Sequence, residues 1–332
     1  VYMLPQNHLD KIADQLMIDI DNYCDKKWKD ENRTHLGFSM IGDECQRKLW
    51  YGFRWCKMPK PDPRIKRLFD RGHKEEDRFI DYLRGIGCTV NPFDPSYRLF
   101  IKNRCEFVVT KIDAIALEQL TLEGYIDVSD DLHYINEANE QGITYPVQWK
   151  VSASNGHSGG SLDGKGYLPE NYGLTEEVLF EFKTHGDKSF KELKAKGMKL
   201  SKPVHYAQCC AYGYMMKLNY VCYVAVNKND DALHLEIVPL NHKTGETLVM
   251  KADRIIMSQE PPPRLHENPT FWLCKMCNYF PICHAKAEID RNCRSCKHAE
   301  PAKDKLWVCN KHQQILTEEI IEKEYGCWES IC

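Results

Sequence analysis

The segment Val178-Leu179-Phe180-Glu181-Phe182-Lys183-Thr184 constrains this chain more than any other. Its branched and aromatic residues favour an extended backbone, and side chains on a strand alternate between two faces. Val178, Phe180 and Phe182 therefore point one way, into a core. Leu179, Glu181 and Lys183 point the other, so an acid and a base stand side by side on one face of a rigid strand. A solvated ion pair at i, i+2 would look similar, and the neighbouring segments have to separate the two readings.

The preceding segment, Gly159-Gly160-Ser161-Leu162-Asp163-Gly164, places a second acid on an expected strand 18 residues before Glu181. That spacing suits two adjacent strands, Ser161 to Tyr167 and Val178 to Thr184, joined by a loop from Leu168 to Thr175. Asp163 and Glu181 can then meet across the pair. Like charges on neighbouring strands repel, and a divalent cation between them removes the conflict. A competing acid, Asp127 in Gly124-Tyr125-Ile126-Asp127, lies 54 residues before Glu181 and would require a large insertion. Asp163 is favoured over it.

Apolar or small residues at Ile65, Leu68, Phe69, Gly72, Phe79, Ile80 and Leu83 recur at helical spacing and predict one long helix. Glu76 falls within that stripe, and Glu75 is rotated about 100° from it. A carboxylate in an apolar stripe needs a partner, and a metal or a base would serve. A second helix is expected from Pro203 to Lys217, with the proline in its first turn. Further strands are expected at Cys105 to Ile112, Leu120 to Val128, Val147 to Ser154 and Tyr220 to Asn227. Residues 1–35 read as helical and peripheral. Strands flanked by helices imply a mixed sheet covered by helices.

The net charge of −3 does not advertise a polyanionic partner, but local charge does. Seven Lys stand between Lys183 and Lys202, and seven Lys or Arg between Lys57 and Lys74, each stretch with two acids. Such segments form either a phosphate-binding surface or two solvated helix faces. No apolar run reaches the roughly 18 residues of a membrane span, so no membrane partner is expected. The first ten residues lack a secretory pattern, and a cytoplasmic location is expected.

Sixteen cysteines exceed what packing needs, and eight of them follow residue 270. In a cytosolic chain such spacing favours metal over disulfides. Cys274, Cys277 and Cys283 form a C-x2-C-x5-C triplet that needs a fourth ligand, either His284 for zinc or Cys45 for an iron–sulfur site. Cys293-x2-Cys296, Cys309 and Cys327 suit a tetrahedral zinc site, with His298 and His312 as alternative ligands. Cys24, Cys56, Cys88, Cys105, Cys209, Cys210 and Cys222 read as buried small hydrophobes.

Gly-x-x-Asp followed by Glu-x-Lys, here Asp163, Glu181 and Lys183, resembles the PD-(D/E)xK nuclease superfamily. Gln208 and Tyr212, four apart on one helix, resemble the Gln-x-x-x-Tyr motif of its exonuclease and helicase-nuclease branch. Glu76, after Arg71-Gly72, resembles that branch's first acidic motif. The resemblance spans roughly residues 39–328 and implies an α/β, restriction-endonuclease-like fold: a mixed central β-sheet flanked by helices, plus a small Cys-rich, metal-stabilised C-terminal segment. It implies a helical segment at 1–38, a nuclease domain at 39–288 and a zinc-binding segment at 289–332. The implied activity is Mg²⁺- or Mn²⁺-dependent DNA hydrolysis, in exonuclease mode, in recombination, repair or replication, for a phage. A recombination or replication protein is the implied protein partner. Glu76, Asp163, Glu181 and the Phe182 carbonyl would ligate the metal. Lys183 would orient the attacking water or neutralise charge developing in the transition state, and Gln208 and Tyr212 would position the DNA strand or the lysine. Cys45 with Cys274, Cys277 and Cys283 would hold a [4Fe–4S] cluster with a structural role. The alternative is a catalytically inactive DNA-binding or adaptor protein on the same fold. An iron–sulfur redox enzyme is disfavoured because no flavin or nicotinamide fingerprint is present.

Overall fold

Asp62 starts the long helix α3 (Pro63–Gly85): its side chain accepts from the Ile65 amide, and Pro63 occupies the first turn, where no N–H is needed. The computed structural model describes residues 5–28, 33–58, 60–102, 105–110, 127–128, 143–321 and 326–332. Before α3 come α1 (Gln6–Lys27) and α2 (Gln46–Phe53). After it come α4 (Asp187–Ser201), α5 (Pro203–Met216) and α6 (His242–Met257). The helix expected over 65–83 is thus present and slightly longer, and the one expected from Pro203 ends one residue early, at Met216.

The strands are β1 (Leu36–Gly37), β2 (Thr89–Asn91), β3 (Phe93–Lys102), β4 (Cys105–Thr110), β5 (Asp127–Val128), β6 (Ile143–Gln148) and β7 (Lys150–Ala153). They continue with β8 (Ser158–Ser161), β9 (Gly164–Tyr167), β10 (Val178–His185), β11 (Tyr220–Asn227) and β12 (Leu233–Pro239). The last three are β13 (Ala299–Pro301), β14 (Trp307–Cys309) and β15 (Gln314–Leu316). The main sheet has five strands in the order β12-β11-β10-β9-β2. β10 and β11 run parallel, and the remaining neighbours run antiparallel. Three smaller sheets are β1-β8-β7, β4-β3-β6-β5 and β13-β14-β15. The chain is therefore a mixed α/β protein whose sheets are flanked by helices. Among the described residues no helix is long and apolar enough to cross a membrane.

Both faces of β10 are buried. Val178, Phe180 and Phe182 join Cys222, Val224 and Val226 against Phe79 and Leu83 of α3. Leu179 faces the opposite core, formed with α2, α4, α5 and α6. The α5–α6 contact is close because Gly245 has no side chain: a Cβ there would lie 2.2 Å from the Cys210 carbonyl oxygen. The C-terminal segment shares this second core, since Ile289, Ala299, Trp307, Leu316 and Ile321 pack in one cluster with Trp50 and Phe53.

Three expectations need amendment. The single strand expected over Ser161 to Tyr167 is broken at Leu162-Asp163 into β8 and β9, which belong to different sheets. The strand expected over Val147 to Ser154 is likewise split at Trp149. Glu75 is not turned away from the protein: it is 9% exposed and pairs with Arg78 at 3.0 Å. Arg78 also reaches Asp231, so the charged side of α3 meets the turn after β11 and one apolar stripe underestimates its buried surface. Most of the strand expected over Leu120 to Val128 lies outside the described residues, as do Gly124, Tyr125 and Ile126.

Candidate active site

Asp163 sits in the bend between β8 and β9, and β9 pairs with β10 so that Gly164 lies opposite Phe180. The register sets the Asp163 carboxylate beside the next residues of β10. Its Oδ2 accepts from the Phe182 amide at 2.7 Å and lies 3.7 Å from Lys183 Nζ. Lys183 also makes an ion contact with Glu181 and donates to the Phe182 carbonyl at 2.9 Å. Asp163, Glu181 and Lys183, 18 residues apart in sequence at their widest acid–acid spacing, therefore form one cluster. The competing Asp127 lies in β5 of the separate four-stranded sheet.

Glu181 is fully buried, and neither of its carboxylate oxygens accepts an aligned hydrogen bond. Burial pushes its pKa up and Asp163 adds to the push, while Lys183 and the nearby Gln208 favour the charged form. Glu76 reaches the same cluster from α3. Burial raises its pKa, Asp163 and Glu181 raise it further, and Lys183 opposes them. Burial alone would lower the pKa of Lys183, but Glu181 and Asp163 outweigh it and hold the amine charged. Three carboxyl groups facing one ammonium cannot all ionise in so poorly solvated a place without a further cation.

Helix α5 covers the cluster from the opposite side. Gln208 and Tyr212 are both buried, and the Tyr212 hydroxyl abuts Gly160, where a Cβ would come within 2.3 Å of it. The Tyr212 pKa is raised, first by burial and then by Glu181 and Asp163. Glu76, Asp163, Glu181, Lys183, Gln208 and Tyr212 are thus brought to one place. The Phe182 carbonyl is there too, engaged with Lys183.

His185, His205 and Tyr223 join the site without having been expected from the sequence. The Tyr223 hydroxyl lies 2.8 Å from His205 Nδ1 and 3.0 Å from His185 Nε2, with the two rings stacked at 5.8 Å. Burial and then Lys202 and Lys183 lower the His185 pKa to about 4. Burial, Lys183 and His185 lower that of His205 to about 3. The signal was available: His185 continues the alternation of Glu181 and Lys183, and His205 precedes Gln208 by one helical turn.

The cysteines gather as two sets. Cys45, Cys274, Cys277 and Cys283 line one cavity of about 270 Å³ together with Asp43, Lys48 and His284. Cys293, Cys296, Cys309 and Cys327 line another of about 410 Å³, with His298 and His312. The Cys293 thiol is pushed up to about 11 by burial and by the other three sulfurs. Among the described residues no three His, Cys, Asp or Glu side chains form a closed metal-binding group, so the thiols line their cavities without converging on one point. Cys24, Cys56, Cys88, Cys209, Cys210 and Cys222 are buried, and the burial of Cys105 lies outside the description.

The basic stretches are partly spent within the fold. Lys66 and Arg67 pair with Asp25 and Asp21 of α1, and Lys74 pairs with Asp70. In α4, Lys191 and Lys196 pair with Asp187 and Glu192, while Lys188, Lys194 and Lys199 are exposed.

No family model and no curated protein matches this chain. Similar solved structures include that of SSO0001, at 15% identity and a TM-score of 0.35, covering 83% of this chain and 98% of that one. They also include LHK-Exo in complex with dAMP, at 10% identity and a TM-score of 0.35, covering 69% and 90% respectively. Likenesses of this size do not establish a shared activity.

Proposed function

We propose that the chain is a divalent-metal-dependent DNA nuclease of the restriction-endonuclease-like, PD-(D/E)xK type, hydrolysing phosphodiester bonds in exonuclease mode. One observation carries the reading: Glu181 is a fully buried carboxylate without an aligned hydrogen bond, facing Asp163, Glu76 and a charged Lys183. A buried acid in that state is costly, and oxygen donors of this kind fit Mg²⁺ or Mn²⁺. Glu76, Asp163, Glu181 and the Phe182 carbonyl would hold the ion. When bound, it supplies Lewis acidity toward the phosphate and lowers the pKa of water.

The chain's own residues would do the rest. Lys183 keeps its proton and donates to the attacking water or to charge building on the phosphoryl oxygens. The Asp163 carboxylate is fixed by the Phe182 amide and so is pre-aimed. Gln208 stands beside Glu181 and favours its charged form, and Tyr212 props β8, which leads to Asp163. The exposed lysines of α4 offer a path for the phosphate backbone. By donor chemistry and shared cavity, two thiol sets would suit soft metals once their sulfurs close in: a [4Fe–4S] cluster or Zn²⁺ at Cys45, Cys274, Cys277 and Cys283, and Zn²⁺ at Cys293, Cys296, Cys309 and Cys327. His284 remains a zinc ligand candidate, because its Nε2 is buried without a hydrogen-bond partner. DNA is the partner, and a recombination or replication protein is the expected context, in the host cytoplasm.

Incubation with end-labelled linear DNA and Mg²⁺ tests the reading. Wild type is expected to shorten the DNA, and Lys183→Ala to be slower by roughly 10²-fold or more. Equal degradation by both proteins, or none with either Mg²⁺ or Mn²⁺, would overturn it.

A further inference from the structure

The bend carrying Asp163 is the exit of a small sheet, β1-β8-β7, whose far end begins at His157. His157 is 2% exposed and wedged between two rings, edge-on to Phe53 at 5.9 Å and to Trp307 at 5.7 Å. Its Nε2 lies 2.8 Å from the Ala302 carbonyl, which can only accept, so the proton sits on Nε2. Its own carbonyl accepts from Leu36 and so ties β1 to β8. Trp307 and Ala302 both belong to the Cys-rich C-terminal segment. The same segment sends Arg294, between Cys293 and Cys296, under Phe53, Trp55 and Trp307, with its guanidinium carbon 4.3 to 4.8 Å from the three ring centres. That guanidinium donates to the carbonyls of Thr34 and Phe53. From His157 the chain runs six residues along β8 to Asp163, held by β7 on one edge and by β1 on the other. Leu162 is buried and donates to the Trp149 carbonyl, which fixes the last step.

We infer that His157 is a positioning residue through which order in the C-terminal segment sets the placement of Asp163. This rests on the nuclease reading for its consequence, metal affinity, but not for the contact itself. The contact makes the C-terminal segment a working part of the site rather than an appendage. Whatever orders the Cys293, Cys296, Cys309 and Cys327 cavity also orders Arg294 and Trp307, and through His157 the strand that ends at Asp163.

Two measurements on the full chain test this. Amide hydrogen exchange over residues 158–163 is expected to quicken in His157→Ala while exchange in β11 is unchanged. Mn²⁺ binding, followed by electron paramagnetic resonance without DNA, is expected to weaken by about 10-fold, the lower end for lost support of a metal ligand. Exposed Glu319→Gln, on the same segment but outside the thiol cavity, should change neither. If His157→Ala does not fold, His157→Phe keeps a ring but loses the bond to Ala302, and is expected to shift both readouts in the same direction. Unchanged exchange at 158–163 in a folded variant overturns the inference, as does faster exchange with unaltered Mn²⁺ affinity. A wild type that binds no Mn²⁺ sinks the nuclease reading instead, and the exchange result alone then decides the role of His157.

Discussion

At the residue scale the candidate site rests on charges that cannot all be satisfied by one another. Lys183 faces Glu181 and Asp163, and Glu76 adds a third carboxylate. Removing the ammonium leaves the acids without their cation, so Lys183→Ala should weaken the apo fold as well as slow hydrolysis. Next to this cluster, His185 and His205 supply a pH signature. Both native pKa values, about 4 and about 3, lie below the ordinary 6.5. These two rings contribute stability that rises with pH across the window and levels above about 6.5, whereas the raised Glu76 and Glu181 carboxyls contribute with the opposite sign between about 4.5 and 8. Chemical denaturation from pH 4 to pH 8 should therefore show a smaller loss of stability on acidification in the His185→Gln, His205→Gln double variant than in wild type. An acid limb of equal slope in the double variant would contradict the assignment of two neutral, buried rings.

At the element scale the tightest constraint is the meeting of β8 with α5. Gly160→Ala would drive a Cβ to 2.3 Å from the Tyr212 hydroxyl oxygen, while the next ring atoms are at 3.1 and 3.3 Å. Overpacking of this kind costs about 1–3 kcal/mol. Tyr212→Phe removes only the nearest atom, so it should recover part of that loss in a double-mutant cycle read by urea denaturation. Strict additivity would contradict the contact. The same elements show what was legible beforehand. Helix α3, helix α5 and strands β10 and β11 follow from hydrophobic period, because each buries a continuous face. The break at Leu162-Asp163 was not legible, because Ser161 to Tyr167 reads as one extended run and only pairing partners assign its parts to two sheets. The burial of Glu75 was not legible because periodicity does not foresee its pairing with Arg78, which also reaches Asp231. Asp163 was selectable over Asp127 by spacing, since short connections keep paired strands near in sequence.

At the scale of the whole molecule, eight of the cysteines line two separate cavities that border one core. Cys45, from the start of α2, meets the triplet beyond residue 270, which links distant parts of the chain. Iron analysis and absorbance near 400 nm should follow Cys45 and Cys283 together, and Cys45→Ser is expected to abolish both. A colourless, iron-free protein prepared without oxygen, with zinc in its place, would contradict the cluster and favour His284. Sequence spacing identified both thiol sets but gave no hint of Arg294 and His157, because ring cages assembled from four separate segments leave no local pattern. Truncation after residue 288 would expose the faces that Trp307, Leu316 and Ile321 cover. The shortened chain should therefore lose cooperative thermal unfolding rather than yield a free nuclease domain.

The most direct test of the central claim compares two aspartates in one cleavage assay. Asp163→Asn and Asp127→Asn are assayed beside wild type on linear duplex DNA with Mg²⁺ under single-turnover conditions. The account predicts a rate loss of roughly 10²-fold or more for Asp163→Asn, and a rate close to wild type for Asp127→Asn. A silent Asp163→Asn, or an inactivating Asp127→Asn beside an active Asp163→Asn, would contradict it.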